Sequence, residues 1–268
     1  MAQNVTIVDT TDRLSALLDD LINLPTSPPS LYLDLEGEDL SRRGTIAILQ
    51  IHVHPVNETY LVDIHTLQNQ AFKTSSISDT KKTLKSLLES PSVPKVFFDV
   101  RNDSDALFSL YGIRLAGVRD VQVMKHALTP MRRLNGLGYC YELDVCSTPE
   151  EVKAFKVVKE VGRKLFSPRY GGSYAVFSKR PMREEIVQYC AQDAGVLPRL
   201  WEEYNGRIER RCDRHKLRGE IAREEIERVR FSQTEKFGKL EGKEMCFGPK
   251  GEEWKEKWIH EGCCGEEW

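Results

Sequence analysis

No apolar run in this chain approaches the roughly 20 residues that a membrane-spanning helix needs, so no membrane role is expected. The opening residues, MAQNVTIVDTTDRL, lack the basic-then-apolar order of a secretory leader, and an intracellular setting, cytoplasmic or nuclear, is expected. Neither sign of charge dominates. Lys and Arg number 39 against 41 Asp and Glu, a formal net charge of -2, so any affinity for a polyanion has to come from a local basic patch. Cysteine is scarce, with seven in 268 residues, scattered and without a CxxC pair, as in a chain that keeps its thiols reduced. Cys246, His260, Cys263 and Cys264 stand near one another, but their spacing fits no standard zinc site. Internal repeats are absent too.

What is present is an alternation of strands and helices. "NVTIVD" alternates like a strand, and "TTDRLSALLDDLIN" follows with helical spacing behind Thr10 or Thr11 as a cap. "LYLDLE", "TIAILQIHV" and "TYLVDI" read as three strands joined by short turns, hence an antiparallel meander. "SDTKKTLKSLLES" (residues 78–90) reads as a helix, "KVFFDV" (95–100) as a strand, and "DSDALFSLYG" as a helix ended by Gly112. "VRDVQVMKHAL" starts as a strand and becomes a helix. Strands that now alternate with helices imply parallel pairing. Two longer helices follow, "EEVKAFKVVKEVGRKLF" and "EEIVQYCAQDAGVLPRLWEEYNGRI", the second with a kink expected at Pro198. From about Asn205 the chain is highly charged, with helix expected to about Val229. Its last stretch, from "SQTEKFG" on, has too few large apolar residues to build a core of its own.

Within "LYLDLEGEDL", Asp34 and Glu36 interrupt an apolar strand. Residues i and i+2 of a strand share a face, so the two carboxylates project together, with backbones about 6.6 Å apart, while Leu33 and Leu35 face the other way. At an effective dielectric near 20 the two charges repel by about 2–4 kcal/mol. A face open to water would tolerate that; a divalent cation would turn it into affinity. Two other places offer further acid. Asp103 sits at the first turn of a helix, where an aspartate ordinarily caps. Tyr189 and Asp193 are i and i+4, on one helix face, as in an ordinary amphipathic helix with a half-buried tyrosine.

Taken together, and in this order, DxE on the first core strand, Asp103 after the fourth and Tyr-x-x-x-Asp on a late helix resemble the Tyr-containing subgroup of the DEDD superfamily of 3′-5′ exonucleases. "DLEG…GTIAILQI…TYLVDI" resembles the first exonuclease motif and its following strands, and "KVFFDVRNDSDALFSLYGIRLAGVRDVQVM" the second. "KEVGRKLFSPRYGGSYAVFSKRPMREEIVQYCAQDAGVLPRLWEEY" resembles the third motif of RNase D-like and Egalitarian-like proteins. The resemblance spans about residues 4–205. Residue 188 is Gln, so the His-containing subgroup is not matched.

The resemblance implies an α/β, ribonuclease H-like fold: a mixed five- or six-stranded sheet flanked by helices, here as an exonuclease domain over residues 1–205. A charged, partly helical C-terminal extension over residues 206–268 would follow. It implies two divalent cations, Mg²⁺ or Mn²⁺, with Asp34 bridging both, Glu36 and Asp193 on the first and Asp103 on the second, and Tyr189 orienting the attacking water. Asp99 and Asp105 flank Asp103, but one ends the strand and the other lies two residues along the helix. Basic residues crowd the stretch from Lys153 to Arg183, where Lys159, Arg163, Lys164, Arg169, Lys179 and Arg180 are candidate phosphate contacts. Tyr170, Tyr174 and Phe177 among them could stack unpaired bases or fill a small core. The expected partner is single-stranded nucleic acid with a free 3′ end, RNA ahead of DNA. The alternative is an exonuclease fold kept as an adaptor for RNA or protein.

Overall fold

The computed structural model describes residues 4–130 and 134–239. The candidate zinc residues Cys246, His260, Cys263 and Cys264 fall outside them. The chain order is β1 (Asn4–Val8), α1 (Thr11–Leu21), β2 (Leu31–Glu36), β3 (Ile48–Val53) and β4 (Glu58–Asp63). Next come α2 (Ile64–Leu67), α3 (Gln70–Lys73), α4 (Leu84–Glu89), β5 (Lys95–Phe97), α5 (Arg101–Tyr111), β6 (Val118–Asp120) and α6 (Val121–Leu128). Four helices complete it: α7 (Leu137–Asp144), α8 (Pro149–Phe166), α9 (Glu184–Glu209) and α10 (Arg214–Ser232).

The strands form one mixed sheet of six, ordered β1-β4-β3-β2-β5-β6. The meander β2-β3-β4 is antiparallel, and β1, β5 and β6 join it by parallel pairing, as the alternation predicts. The pleat sorts β2 cleanly. Leu31, Leu33 and Leu35 enter the larger core with Leu14, Leu17, Leu18 and Leu21 of α1, and with Leu49 and Ile51 of β3. Tyr32 belongs to the opposite core, with α6 and α9 residues. Each fully buried leucine contributes about 1.5–3 kcal/mol, enough to fix the register that aims Asp34 and Glu36 at the α9 side. The turn after β2 returns so tightly that a Cβ on Gly37 would lie 2.0 Å from the Thr45 carbonyl oxygen.

Helix α1 starts behind Thr10, whose hydroxyl accepts from the Arg13 N–H at 3.3 Å. Three elements differ from the sequence pattern. The helix expected from residue 78 begins only at Leu84. Asp19 ties down Ser78, accepting from its N–H at 3.0 Å, and a capping box between Thr83 and Ser86 sets the start. Strand β5 stops at Phe97 because Asp99 takes a positive φ of 61°. Helix α7 carries no clear periodicity, and Gly138 in its first turn weakens the signal. Helix α9 runs from Glu184 to Glu209 as one helix with Pro198 inside it, so the residue expected to kink the helix does not end it.

Helix α10 packs on α5, α6 and β6. Its Arg228, 2% exposed, donates to Asp120 and to Gln122, each at 2.9 Å. Asp120 in turn accepts the N–H groups of Asp99 at 3.0 Å and Val100 at 3.1 Å. The turn that launches α5 is therefore clamped from α10. Among the described residues, no helix is long and apolar enough to cross a membrane.

Candidate active site

Strand β2 and helix α9 build the centre of the site. Alternation on β2 aims Asp34 and Glu36 at α9, and α9 answers with Tyr189 and, one turn on, Asp193. One carboxylate oxygen from each of Asp34, Glu36 and Asp193 lies within 4.8 Å of the others. Asp103, in the first turn of α5, is 5% exposed and stands outside that group, yet close enough for its charge to oppose those of Asp34 and Glu36.

Crowding shows in the proton affinities. Burial, then the charge of Asp193, pushes Asp34 up to about 7, against the pull of Lys159. Burial and the charges of Asp34 and Asp193 raise Glu36 well above the usual carboxylate range. Burial and the charges of Asp34 and Asp99 do the same to Asp103. The Tyr189 hydroxyl is raised by burial and by Asp193, so it stays a protonated phenol that can donate.

The two neighbouring acids have other occupations. Asp105 accepts from the Arg42 backbone N–H and from its Nε, both at 2.8 Å. Asp99 takes a two-pronged contact from Arg101 at 2.5 and 2.6 Å. Asp103 forms no ion pair with any cation among the described residues.

The six candidate basic residues separate. Arg163, Lys164, Arg169 and Lys179 are exposed. Arg180 is committed to Asp63, at 2.5 and 2.6 Å, and to the carbonyls of Phe177 and Lys179 at 2.8 Å, pinning its loop to the end of β4. Lys159 points inward: its Nζ lies 2.7 Å from both oxygens of Asp193 and 3.3 Å from the Tyr189 hydroxyl. Of the aromatics, Phe177 is core, packed at 5.3 Å on Phe166, while Tyr170 and Tyr174 are 50% and 40% exposed.

Gly162 on α8 belongs to the site and escaped the sequence reading. A Cβ there would lie 2.5 Å from the Tyr189 ring, so only glycine lets α8 approach the tyrosine this closely. The one sequence signal was a glycine inside an otherwise strong helical stretch.

A family profile described as 3′-5′ exonuclease matches residues 5–209, which include every one of these side chains. The chain belongs to the 3′-5′ exonuclease family. No curated protein matches it in sequence. Among solved structures, this exonuclease-family chain is similar to Trypanosoma brucei RNase D, at 22% identity and a TM-score of 0.70, covering 97% of this chain and 83% of that one. The same enzyme in complex with RNA U12 matches at 20% identity and a TM-score of 0.69, over 95% and 79%. The catalytic core of RRP6 from Trypanosoma brucei matches at 18% and 0.60, over 86% of this chain and 52% of that one. These likenesses establish the RNase D type of ribonuclease H-like fold for this family member.

Proposed function

We propose that this chain is a divalent-metal-dependent exonuclease that removes nucleotides from the 3′ end of single strands, RNA ahead of DNA. The observation that carries the reading is the convergence of Asp34, Glu36 and Asp193 beneath the Tyr189 phenol, with Asp103 buried alongside. Hard carboxylate oxygens suit Mg²⁺ or Mn²⁺, and the raised proton affinities mark an acid cluster with too little positive charge of its own. Asp34 would bridge two such ions, Glu36 and Asp193 holding the first and Asp103 the second. When bound, the pair supplies an activated water and relieves the charge on the departing 3′ oxygen.

The remaining roles fall to the chain itself. The Tyr189 ring, packed against Gly162 and with its centroid 5.1 Å from that of Phe166, presents the hydroxyl that would orient the attacking water by a hydrogen bond. Arg163, Lys164, Arg169 and Lys179 offer exposed charge to the phosphates, and Tyr170 and Tyr174 offer faces for unpaired bases. The preference for RNA draws support from the RNA-bound RNase D of the same fold.

The test is a set of 3′-labelled and 5′-labelled single-stranded RNA and DNA oligomers incubated with Mg²⁺, Mn²⁺ or EDTA. Stepwise shortening from the 3′ end that needs metal is expected. Binding without shortening of either polymer would overturn the reading in favour of an adaptor.

A further inference from the structure

Lys159 does something that a phosphate-contacting lysine does not. Both oxygens of Asp193 sit 2.7 Å from its ammonium, and the Tyr189 hydroxyl 3.3 Å away. The same ammonium lies 4.4 Å from the centroid of the Tyr189 ring. It therefore uses the carboxylate that also completes the three-acid group with Asp34 and Glu36. A divalent ion on that carboxylate and an ammonium in hydrogen-bond contact with it would repel strongly in so dry a place.

Other acids in this fold are met more fully: Asp144 has two cations, Lys125 at 2.9 Å and Arg207 at 3.9 Å, and the Tyr204 hydroxyl besides. Asp120 is met by Arg228 and Asp63 by Arg180, each through a planar guanidinium with further fixed acceptors. The Lys159 side chain ends in a compact ammonium on a flexible stem. It is 14% exposed against 1% for Arg228, so it has a way out. Outside, Arg163 lies four residues on, on the same face of α8.

We propose that Lys159 is an exchangeable counter-cation. It neutralises Asp193 and steadies Tyr189 when no divalent ion is bound, and metal entry drives its ammonium out of the acid cluster toward the substrate phosphate. Lys159 thus sets the threshold for metal loading and links it to substrate capture. The proposal rests on the metal role given above to Asp193.

Mn²⁺ binding to the full chain, followed by the loss of the free-ion electron paramagnetic resonance signal, tests it. Lys159→Met should bind Mn²⁺ at least tenfold more tightly than wild type, while Lys159→Arg, which keeps the charge and can grip Asp193 with two N–H groups, should bind no more tightly than wild type. In EDTA, Lys159→Met should melt lower than wild type, and Mn²⁺ should raise its melting temperature by more. Wild type alone gives a second readout. Acylation of the Lys159 amine, read by mass spectrometry, should rise several-fold when Mn²⁺ is added. Equal Mn²⁺ affinity in wild type and Lys159→Met, or unchanged labelling on metal addition, would make Lys159 a fixed structural pair and overturn the proposal. Absence of Mn²⁺ binding in every form would overturn the metal role of the acids, and this proposal with it.

Discussion

Where β6 meets α10, buried acids have partners. Asp120 meets Arg228 and four backbone N–H groups, those of Asp99, Val100, Gln122 and Val123, and Glu225 accepts the Asp120 N–H at 2.9 Å. Burial works against the Asp99 carboxylate, yet hydrogen bonds from Arg101 and the charge of Arg228 hold it below its usual range. Glu225 is pushed up there, to about 8, chiefly by burial. Where β2 meets α9, Asp34, Glu36 and Asp193 share the Lys159 ammonium, Asp103 pairs with no cation among the described residues, and Asp34, Glu36 and Asp103 all have raised proton affinities. The first region shows what this fold does with charge that only has to be stable. The second leaves negative charge in excess, which lowers stability and is useful only if a cation arrives.

The comparison breaks most visibly in activity. Asp34→Asn or Asp193→Asn should cut 3′ shortening by roughly 10²–10³-fold or more, because the lost charge acts on the transition state. Single-strand affinity should hold or rise, since the proposed phosphate contacts, Arg163, Lys164, Arg169 and Lys179, lie elsewhere. Rates and filter-binding affinities on the same oligomers check this, and a parallel loss of both would contradict it.

The next effect is on stability, and it should have opposite signs in the two regions. Arg228→Met leaves Asp120 buried and uncompensated and should cost about 3–5 kcal/mol in urea unfolding. Asp34→Asn in EDTA should leave stability unchanged or raise it, because it relieves repulsion.

This asymmetry also shows how much was legible in the sequence. Asp34 and Glu36 stood out because strand alternation puts i and i+2 on one face, and Tyr189 with Asp193 because i and i+4 share a helix face. The mixed sheet followed from the order of strands and helices, with five or six strands expected and six found. The partners of Lys159 and Arg180 were not legible: both look like members of a basic run, and only the packing of α8 on α9, and of the 168–183 loop on β4, turns them inward. The clamp on Asp99 was hidden for the same reason, since Arg228 and Asp120 are 108 residues apart. The true start of α4 depended on Asp19 reaching residues 76–78.

A smaller effect comes with pH. Asp34 is raised from 3.8 to about 7, so between those values the folded chain binds a proton that the unfolded chain has lost. Stability without metal should therefore fall as pH rises from about 4 through 7, by roughly 5 °C in melting temperature. Saturating Mg²⁺ should remove the fall, because the bound ion replaces the proton. Asp34→Asn should flatten it, and a wild-type profile in EDTA that rises over this window would contradict the assignment.

The smallest effect sharpens the role of the α8–α9 contact. Gly162→Ala places a methyl 2.5 Å from the Tyr189 ring, which has to shift. Shortening should slow by roughly tenfold, as for Tyr189→Phe, with Mn²⁺ affinity nearly unchanged and the double variant no slower than either single one.

The central claim is that Asp34, Glu36, Asp103 and Asp193 form a divalent-cation centre, and a crystal of the full chain soaked in Mn²⁺ tests it most directly. The account predicts anomalous scattering from two ions among these carboxylates, with Lys159 turned away from Asp193 and the Asp120–Arg228 pair unchanged. Four carboxylates without an ion, and Lys159 still bridging Asp193 at saturating Mn²⁺, would contradict it.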